Sequence, residues 1–435
     1  MSHPLVAEPL DVWIDPETLY LALFATLEHS FWLDAGPDAT TGWSWIGTGD
    51  RADDPAVVRD VACAGAGASS PEGRFGGGWV GWLGYEPGAA RAGAPTADPG
   101  DDVPSDLWLR AERLVAFDHT ARKAYAFACG EEVADFARSV RAAVRHPVPP
   151  LHAAPAPVSV LARHEPDQYE ALIERCRDAI REGDAYQLCL TTRFAVEASV
   201  DPLESYRRLR SRTPAHHGGL IRSGSVALLS ASPELFLEVG DGIVRTHPIK
   251  GTRPRGTDGA TDAALAAELA ASEKERAENV MIVDLMRNDL SRVCLDGTVA
   301  VERLFAIESY PAVHQLVSTV SGTLEDDVTV GRLLDAAFPA GSMTGAPKLS
   351  AMTILHDLEG GPRGVFSGCF GWIGDDGALD LAMIIRSIVV HSHGAYVGAG
   401  GGITWRSDAA AEVAEVGVKA RGPLGALGAT LPPGW

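Results

Sequence analysis

Basic residues are scarce at the start of this chain, and long apolar runs and paired cysteines are missing throughout. No Lys or Arg precedes Arg51, while Glu8, Asp11, Asp15 and Glu17 crowd the first segment, so the positively charged region that opens a secretory signal is lacking. A cytoplasmic location is expected. No stretch approaches the ~18–20 apolar residues of a membrane-spanning helix, and the longest candidate, LAMIIRSIVV, is broken by Arg386. A membrane span is excluded. Cys63, Cys129, Cys176, Cys189, Cys294 and Cys369 are scattered, with no CxxC and no histidine cluster, so neither a disulfide framework nor a zinc site is indicated. They read as buried thiols in a reducing compartment. Lys and Arg number 37 against 58 Asp and Glu, a net charge of −21 that opposes attraction to nucleic acid or anionic lipid. A small anionic substrate would need local cations or a metal.

What is present is a chain of 435 residues, 46% hydrophobic, long enough for one large core or two modest ones. The segment RHPVPPLHAAPAPVSV carries five prolines, which cannot continue a helix or central strand. It divides a weaker N-terminal region, 1–145, from a motif-rich region, 161–425, with 146–160 as connector. Residues 86–105 read as a solvated loop. Tyr169, Leu172, Ile173, Cys176 and Ile180 make one helical stripe closed by Gly183. LFLEV and IVRT flank GDG as a hairpin, residues 262–292 are mostly helical in character, and GAPKLSAMTILHDLEG starts another helix. The closing segments GVFSGCFGWIG, LDLAMIIRSIVV and AYVGAG read as three strands. Helices interrupting hairpin-linked strands favour an α+β fold with antiparallel sheet over a doubly wound parallel one.

Several residues have the chemistry of a site. Glu275 and Glu278 share one helix face, and Glu412 and Glu415 share another on a helix that Asp408 caps. Brought together they form a four-carboxylate cluster that a hard cation such as Mg²⁺ would neutralise; apart, they are two solvated faces. Lys250, in the Gly- and Pro-punctuated PIKGTRPRG, projects from a loop into a cleft or simply into solvent. Glu234 opens a strand as a general acid or as an exposed strand end. Arg386, inside an apolar strand, holds a carboxylate of the protein or of a ligand. GAGGG at 398–402 offers unobstructed N–H groups or a plain turn, and PAGSMTGAPK offers donors at a helix N-terminus or a simple cap.

Taken in order, YQLCLTTRF, SASPELFL, PIKGTRPRG, ENVMIVDLMRNDLSRVC, PAVHQLVSTVSG, PAGSMTGAPKLSAM, GCFGWIG and GAGGGI resemble the chorismate-utilising enzymes over residues 160–420. Within that family the likeness is greatest to the first component of aminodeoxychorismate synthase. LEHSFWLDAG and WSWIG extend it weakly to the N-terminal region. The resemblance implies antiparallel sheets packed as a sandwich-like core with helices outside, and Mg²⁺ and chorismate bound between helices and sheet. It places Glu278 and Glu415 as direct metal ligands, and Glu275 and Glu412 as water-mediated ones. Arg386 with Gly400, Gly401 and Gly402 falls where substrate carboxylates are held, Thr344 and Gly345 in another contact segment, and Glu234 where the ring hydroxyl is expelled.

Two positions separate the branches. Gln187 stands where water-adding relatives carry a lysine base, and Lys250 stands where anthranilate synthases have the Ala of PIAGT. The resemblance implies that the Lys250 amine attacks C2 of chorismate and ammonia then gives 4-amino-4-deoxychorismate, the precursor of 4-aminobenzoate and folate. Gln315, with His314 one residue earlier, replaces the His that precedes LVS in anthranilate synthases. No cysteine lies in the sharp Gly-flanked turn of a glutaminase, so a separate glutamine amidotransferase is implied as ammonia source. The alternatives are anthranilate synthase component I and a non-catalytic chorismate-binding scaffold subunit.

Overall fold

The computed structural model describes residues 4–63, 75–98, 100–154, 158–310 and 313–435. Among them every pairing between strands is antiparallel, as the hairpin signals predict. A first sheet runs from Leu5–Leu10 through Lys123–Cys129, Asp106–Asp118, Trp43–Arg51, His29–Asp34, His217–Ser223, Val226–Ser232, Ser387–His391 and Gly394–Ile403 to Gln187–Val196. A second runs from Gly78–Leu83 through Cys369–Gly374, Leu379–Met383, Leu235–Gly240 and Ile243–Thr246 to Val313–Thr323 and Ala300–Ser309. The two are joined along Asp106–Asp118, whose one edge pairs first with Gly78–Leu83 and then with Lys123–Cys129. Strands of the N-terminal region are therefore hydrogen-bonded into both sheets of the motif-rich region.

Strand periodicity sets the layers. In the first sheet Phe31, Leu33, Ile221, Leu228 and Val389 point into a core shared with Phe236, Leu237, Trp372 and Leu381 of the second. The alternate residues Trp32, Leu220, Leu229, Ile388, Val390, Leu188 and Leu190 face outward into another core. That second core is covered by helices Pro16–Leu23, Glu132–Ala143, Pro166–Glu182, Pro202–Arg212, Lys348–Glu359 and Ala409–Ala426. Trp32, Trp82 and Trp108 are almost fully buried, and truncating one such ring to alanine costs on the order of 3–5 kcal/mol. The expected α+β sandwich with outer helices is the architecture observed.

Several local expectations are corrected. LDLAMIIRSIVV is not one strand: Leu379–Met383 belongs to the second sheet and Ser387–His391 to the first, and Arg386 sits in the bend between them with φ +52°. An apolar run hides such a crossing because both of its halves are buried. PIKGTRPRG is not a free loop, since Ile249–Pro254 pairs with Val313–Thr323 and puts Lys250 opposite Leu316. The register shifts at Gly251, whose φ of +78° and approach to Glu275 exclude a side chain: a Cβ there would lie 2.9 Å from the Glu275 side chain. GAGGG is strand and not turn. Residues 86–105 begin in helix Tyr85–Arg91, where Glu86 accepts a hydrogen bond from the Arg363 backbone N–H, so its Gly and Pro misread as loop. The helical stretch 262–292 is two helices, Gly259–Ala271 and Glu273–Leu290, parted at Ser272, which caps the second.

Candidate active site

The site lies where the chain twice steps from one sheet to the other. Val226–Ser232 pairs in the first sheet and Leu235–Gly240 in the second, with Glu234 at the corner; Leu379–Met383 and Ser387–His391 make the reverse step, with Arg386 at theirs. The corners are tied together, as Met383 N–H donates to the Glu234 carbonyl at 3.0 Å and Ala231 N–H to the Arg386 carbonyl at 3.3 Å. At the first crossing the ladder with Leu379–Met383 shifts register between Leu235 and Leu237, just after Glu234.

Glu234 is 8% exposed, and burial pushes its carboxyl up to about 7, against the opposing pull of Lys250, a hydrogen bond with Ser342 and the charge of Lys419. It can hold a proton near neutral pH. Arg386 is half-buried, and burial lowers its pKa with only Glu415 pulling the other way. Among the described residues its guanidinium has no ion pair and no hydrogen bond, which leaves its fork for a ligand carboxylate.

Strand Gly394–Ile403 pairs with Gln187–Val196 on one edge, and among the described residues its other edge has no strand partner beyond Tyr396. Cys189, Thr191 and Arg193, opposite Gly402, Gly400 and Gly398, direct backbone groups elsewhere: Cys189 N–H to the Thr344 carbonyl, Thr191 N–H to Glu359, and the Arg193 carbonyl to Arg163 N–H. Alternation then sets the Gly400 and Gly402 N–H groups on the open edge, while that of Gly401 faces the ladder. Lys419 donates to the Gly400 carbonyl on that edge at 2.7 Å. A Cβ at Gly402 would lie 2.6 Å from Gln187 Nε2 and 3.4 Å from Lys250 Nζ, so glycine is what lets lysine and amide converge on this backbone. Gln187 is fully buried, and neither its Oε1 nor its Nε2 has a partner. An orphaned buried amide is costly unless a ligand completes it.

Thr344 is fully buried, but its hydroxyl donates to the Ala340 carbonyl, and it is Ser342 that reaches Glu234. Gly345 pairs with Leu188. Beneath these segments the buried Arg363 binds both carboxylate oxygens of Glu359, the Met343 carbonyl at 2.5 Å and the Cys189 carbonyl at 2.8 Å. This clamp escaped the sequence reading because Glu359 and Arg363, four apart across Gly-Gly-Pro, look like a surface pair.

Glu278 on Glu273–Leu290 faces Glu412 on Ala409–Ala426, with Glu415 beside Glu412, whereas Glu275 pairs with Arg253 at 3.6 Å. Lys274 lies 3.9 Å from both Glu278 and Glu412, and Lys419 pairs with Glu415 at 2.8 Å. Burial raises the pKa of Glu278 and of Glu412, the neighbouring carboxylates adding to it. At Glu415 the upward push of burial is outweighed by Lys419, aided by Lys274 and Lys250, and its pKa is lowered. Carboxylates are the hard oxygen donors that Mg²⁺ takes one or two at a time, together with waters and ligand oxygens.

His314 turns toward helix Gly259–Ala271, bonding Asp262 at 2.9 Å and Ser309 at 2.8 Å, while Gln315 lines a separate cavity of about 880 Å³ beside Trp43, Trp45 and Trp372. None of the candidate site residues lines that cavity.

Residues 28–425 match the chorismate binding enzyme family. The chain is 39% identical to an aminodeoxychorismate synthase of Streptomyces pristinaespiralis over 95% of its own length and 64% of that protein's, and 38% identical to one of Streptomyces griseus over 98% and 65%. It thus spans just under two thirds of the length of these curated relatives. It is also 38% identical to anthranilate synthase component 1 of Streptomyces coelicolor, over 98% of this chain and 88% of that one. Anthranilate synthase component I of Streptococcus pneumoniae superposes with a TM-score of 0.75 at 30% identity, covering 92% of each chain. The menaquinone-specific isochorismate synthase of Escherichia coli shares the fold, with a TM-score of 0.72 at 18% identity over 98% of this chain and 96% of that one. With the family match spanning residues 28–425, nearly the whole sequence, the chain belongs to the chorismate binding enzymes.

Proposed function

We propose that this chain is an aminodeoxychorismate synthase component I, converting chorismate and ammonia to 4-amino-4-deoxychorismate for 4-aminobenzoate and folate synthesis. The observation that carries the reading is Lys250 at the open glycine edge, with a carboxyl at Glu234 that burial raises to about 7, so that a fraction holds its proton near neutral pH. In the first displacement the neutral Lys250 amine forms a bond to C2, both ring double bonds shift around the ring toward C4, and the C4 hydroxyl leaves as water with the proton of Glu234. Ammonia then bonds to C4 and gives up one proton, which restores the acid form of Glu234, both double bonds return, and the C2–N bond to Lys250 breaks. Arg386 and the Gly400 and Gly402 N–H groups hold substrate carboxylates in place. Mg²⁺ held by Glu278 and Glu415, with Glu275 and Glu412 acting through water, would neutralise carboxylate charge.

A separate glutamine amidotransferase supplies the ammonia in this reading. Burial pushes the Cys63 thiol up to about 12 and the Cys294 thiol up to about 11, and raises those of Cys176, Cys189 and Cys369, the reverse of what a glutaminase nucleophile needs. The purified chain with chorismate, Mg²⁺ and ammonium is expected to give aminodeoxychorismate by mass spectrometry, faster as rising pH frees NH₃, and nothing with glutamine alone. The second reading, anthranilate synthase component I, is favoured by the near-full-length match to such a protein. Fluorescent anthranilate formed without a lyase would select it.

The metal assignment predicts unequal losses. Glu278→Gln and Glu415→Gln are expected to lower Mg²⁺ affinity at least ~10-fold more than Glu275→Gln, because a direct ligand contributes more than a water-bridged one. Calorimetric Mg²⁺ titration checks this, and equal affinities in all three variants would show two solvated helix faces.

A further inference from the structure

Lys274 occupies the first turn of helix Glu273–Leu290, where the helix dipole disfavours a cation. Its ammonium nevertheless sits 3.9 Å from an oxygen of Glu278 on its own helix and 3.9 Å from one of Glu412 on Ala409–Ala426. The lysine side chain is 55% exposed, whereas those of the two glutamates are 13% and 6% exposed. At that separation the attraction is Coulombic, with no hydrogen bond to break. The contrast with Lys419 is plain, since that ammonium is anchored by bonds to both Glu415 and the Gly400 carbonyl.

We propose that Lys274 is a tethered counter-cation that competes with the divalent metal for Glu278 and Glu412, so that the metal binds by displacing its ammonium into solvent. The inference rests on the metal reading given above. A single charge on a flexible, solvated stem can screen the repulsion between the two helices and still withdraw, because it regains full hydration on leaving. The chain thereby keeps its carboxylates together without metal, at the expense of metal affinity.

The test is calorimetric titration of Mg²⁺ into the whole protein, paired with thermal unfolding in EDTA and in saturating Mg²⁺. Lys274→Met is expected to bind Mg²⁺ roughly three- to tenfold more tightly, the range two partly exposed ion pairs can carry. It should also unfold at a lower temperature than the parent in EDTA, with the gap closing in Mg²⁺. Lys274→Arg, which keeps a cation, should stay near the parent on both counts. Unchanged or weaker Mg²⁺ binding in Lys274→Met, with Lys274→Gln as a second neutral variant giving the same result, overturns the proposal alone. No saturable Mg²⁺ binding to the parent protein overturns the metal reading and this inference with it.

Discussion

Chorismate supplied without ammonia is expected to leave a covalent adduct on Lys250, one chorismate less one water, visible by intact-protein mass spectrometry and mapped to the peptide that carries PIKGT. The second displacement lacks its nucleophile under these conditions, so the first product accumulates. Lys250→Ala should form no adduct and lose at least ~10³-fold in turnover, since a removed nucleophile leaves only binding and electrostatic contributions. Chorismate affinity should change little, because Arg386 and the glycine edge are untouched. Lys250→Arg is the sharper probe. It retains the charge beside Glu234 but is effectively never deprotonated, so it fails if the amine must attack and survives if charge alone matters. High activity in Lys250→Arg, or no adduct on the parent protein under trapping conditions, would reduce Lys250 to an electrostatic residue and leave ammonia to attack C2 directly.

Glu234→Gln is expected to split activity from stability. Removing the proton donor should lower kcat by about 10²–10⁴-fold and suppress the Lys250 adduct as well, because the first displacement is the step that needs the acid. Stability should move the other way. Burial raises the carboxyl from 4.5 to about 7, so the folded state binds the proton more tightly than the unfolded one. The associated stability is complete below the unfolded value and is lost as pH rises toward the folded one. Above pH ~7 the native protein carries a desolvated carboxylate, and the glutamine variant should be the more stable by up to about 3 kcal/mol. At pH ~4.5 and below the two should be alike. Urea denaturation at pH 5 and pH 8 reads the difference, and an identical gap at both pH values would show that Glu234 is not buried as the fold places it.

Motif spacing made much of this site legible beforehand. The two ExxE pairs declare their helix faces because the 3.6-residue period places residues three apart on one side. The hairpin at Leu235–Gly240 and Ile243–Thr246 was readable from GDG, and Asp241 and Gly242 take the left-handed conformation its tight turn needs. Gln187 could be singled out as a position, but nothing in its local sequence says that both polar atoms of its amide are buried without partners. Lys419 and Arg363 carry no local signal for the same reason: their partners Gly400 and Cys189 lie on other segments of the chain.

The amino-acid sequence by itself determined the alternation that splits each first-sheet strand between two cores, the helix faces, and the set of polar residues available for chemistry, since these follow from local period and residue type. Only the tertiary structure decided that Glu234 and Arg386 stand at adjacent corners, because a strand that changes sheet keeps its apolar pattern and gives no local sign of the crossing. The same holds for Lys250, drawn into a ladder by Val313–Thr323, and for Gly400 and Gly402, whose N–H groups face the edge away from Gln187–Val196 because their cross-strand neighbours bond elsewhere. Long-range pairing sets these outcomes, and it is written in the partners of each strand, not in the strand itself.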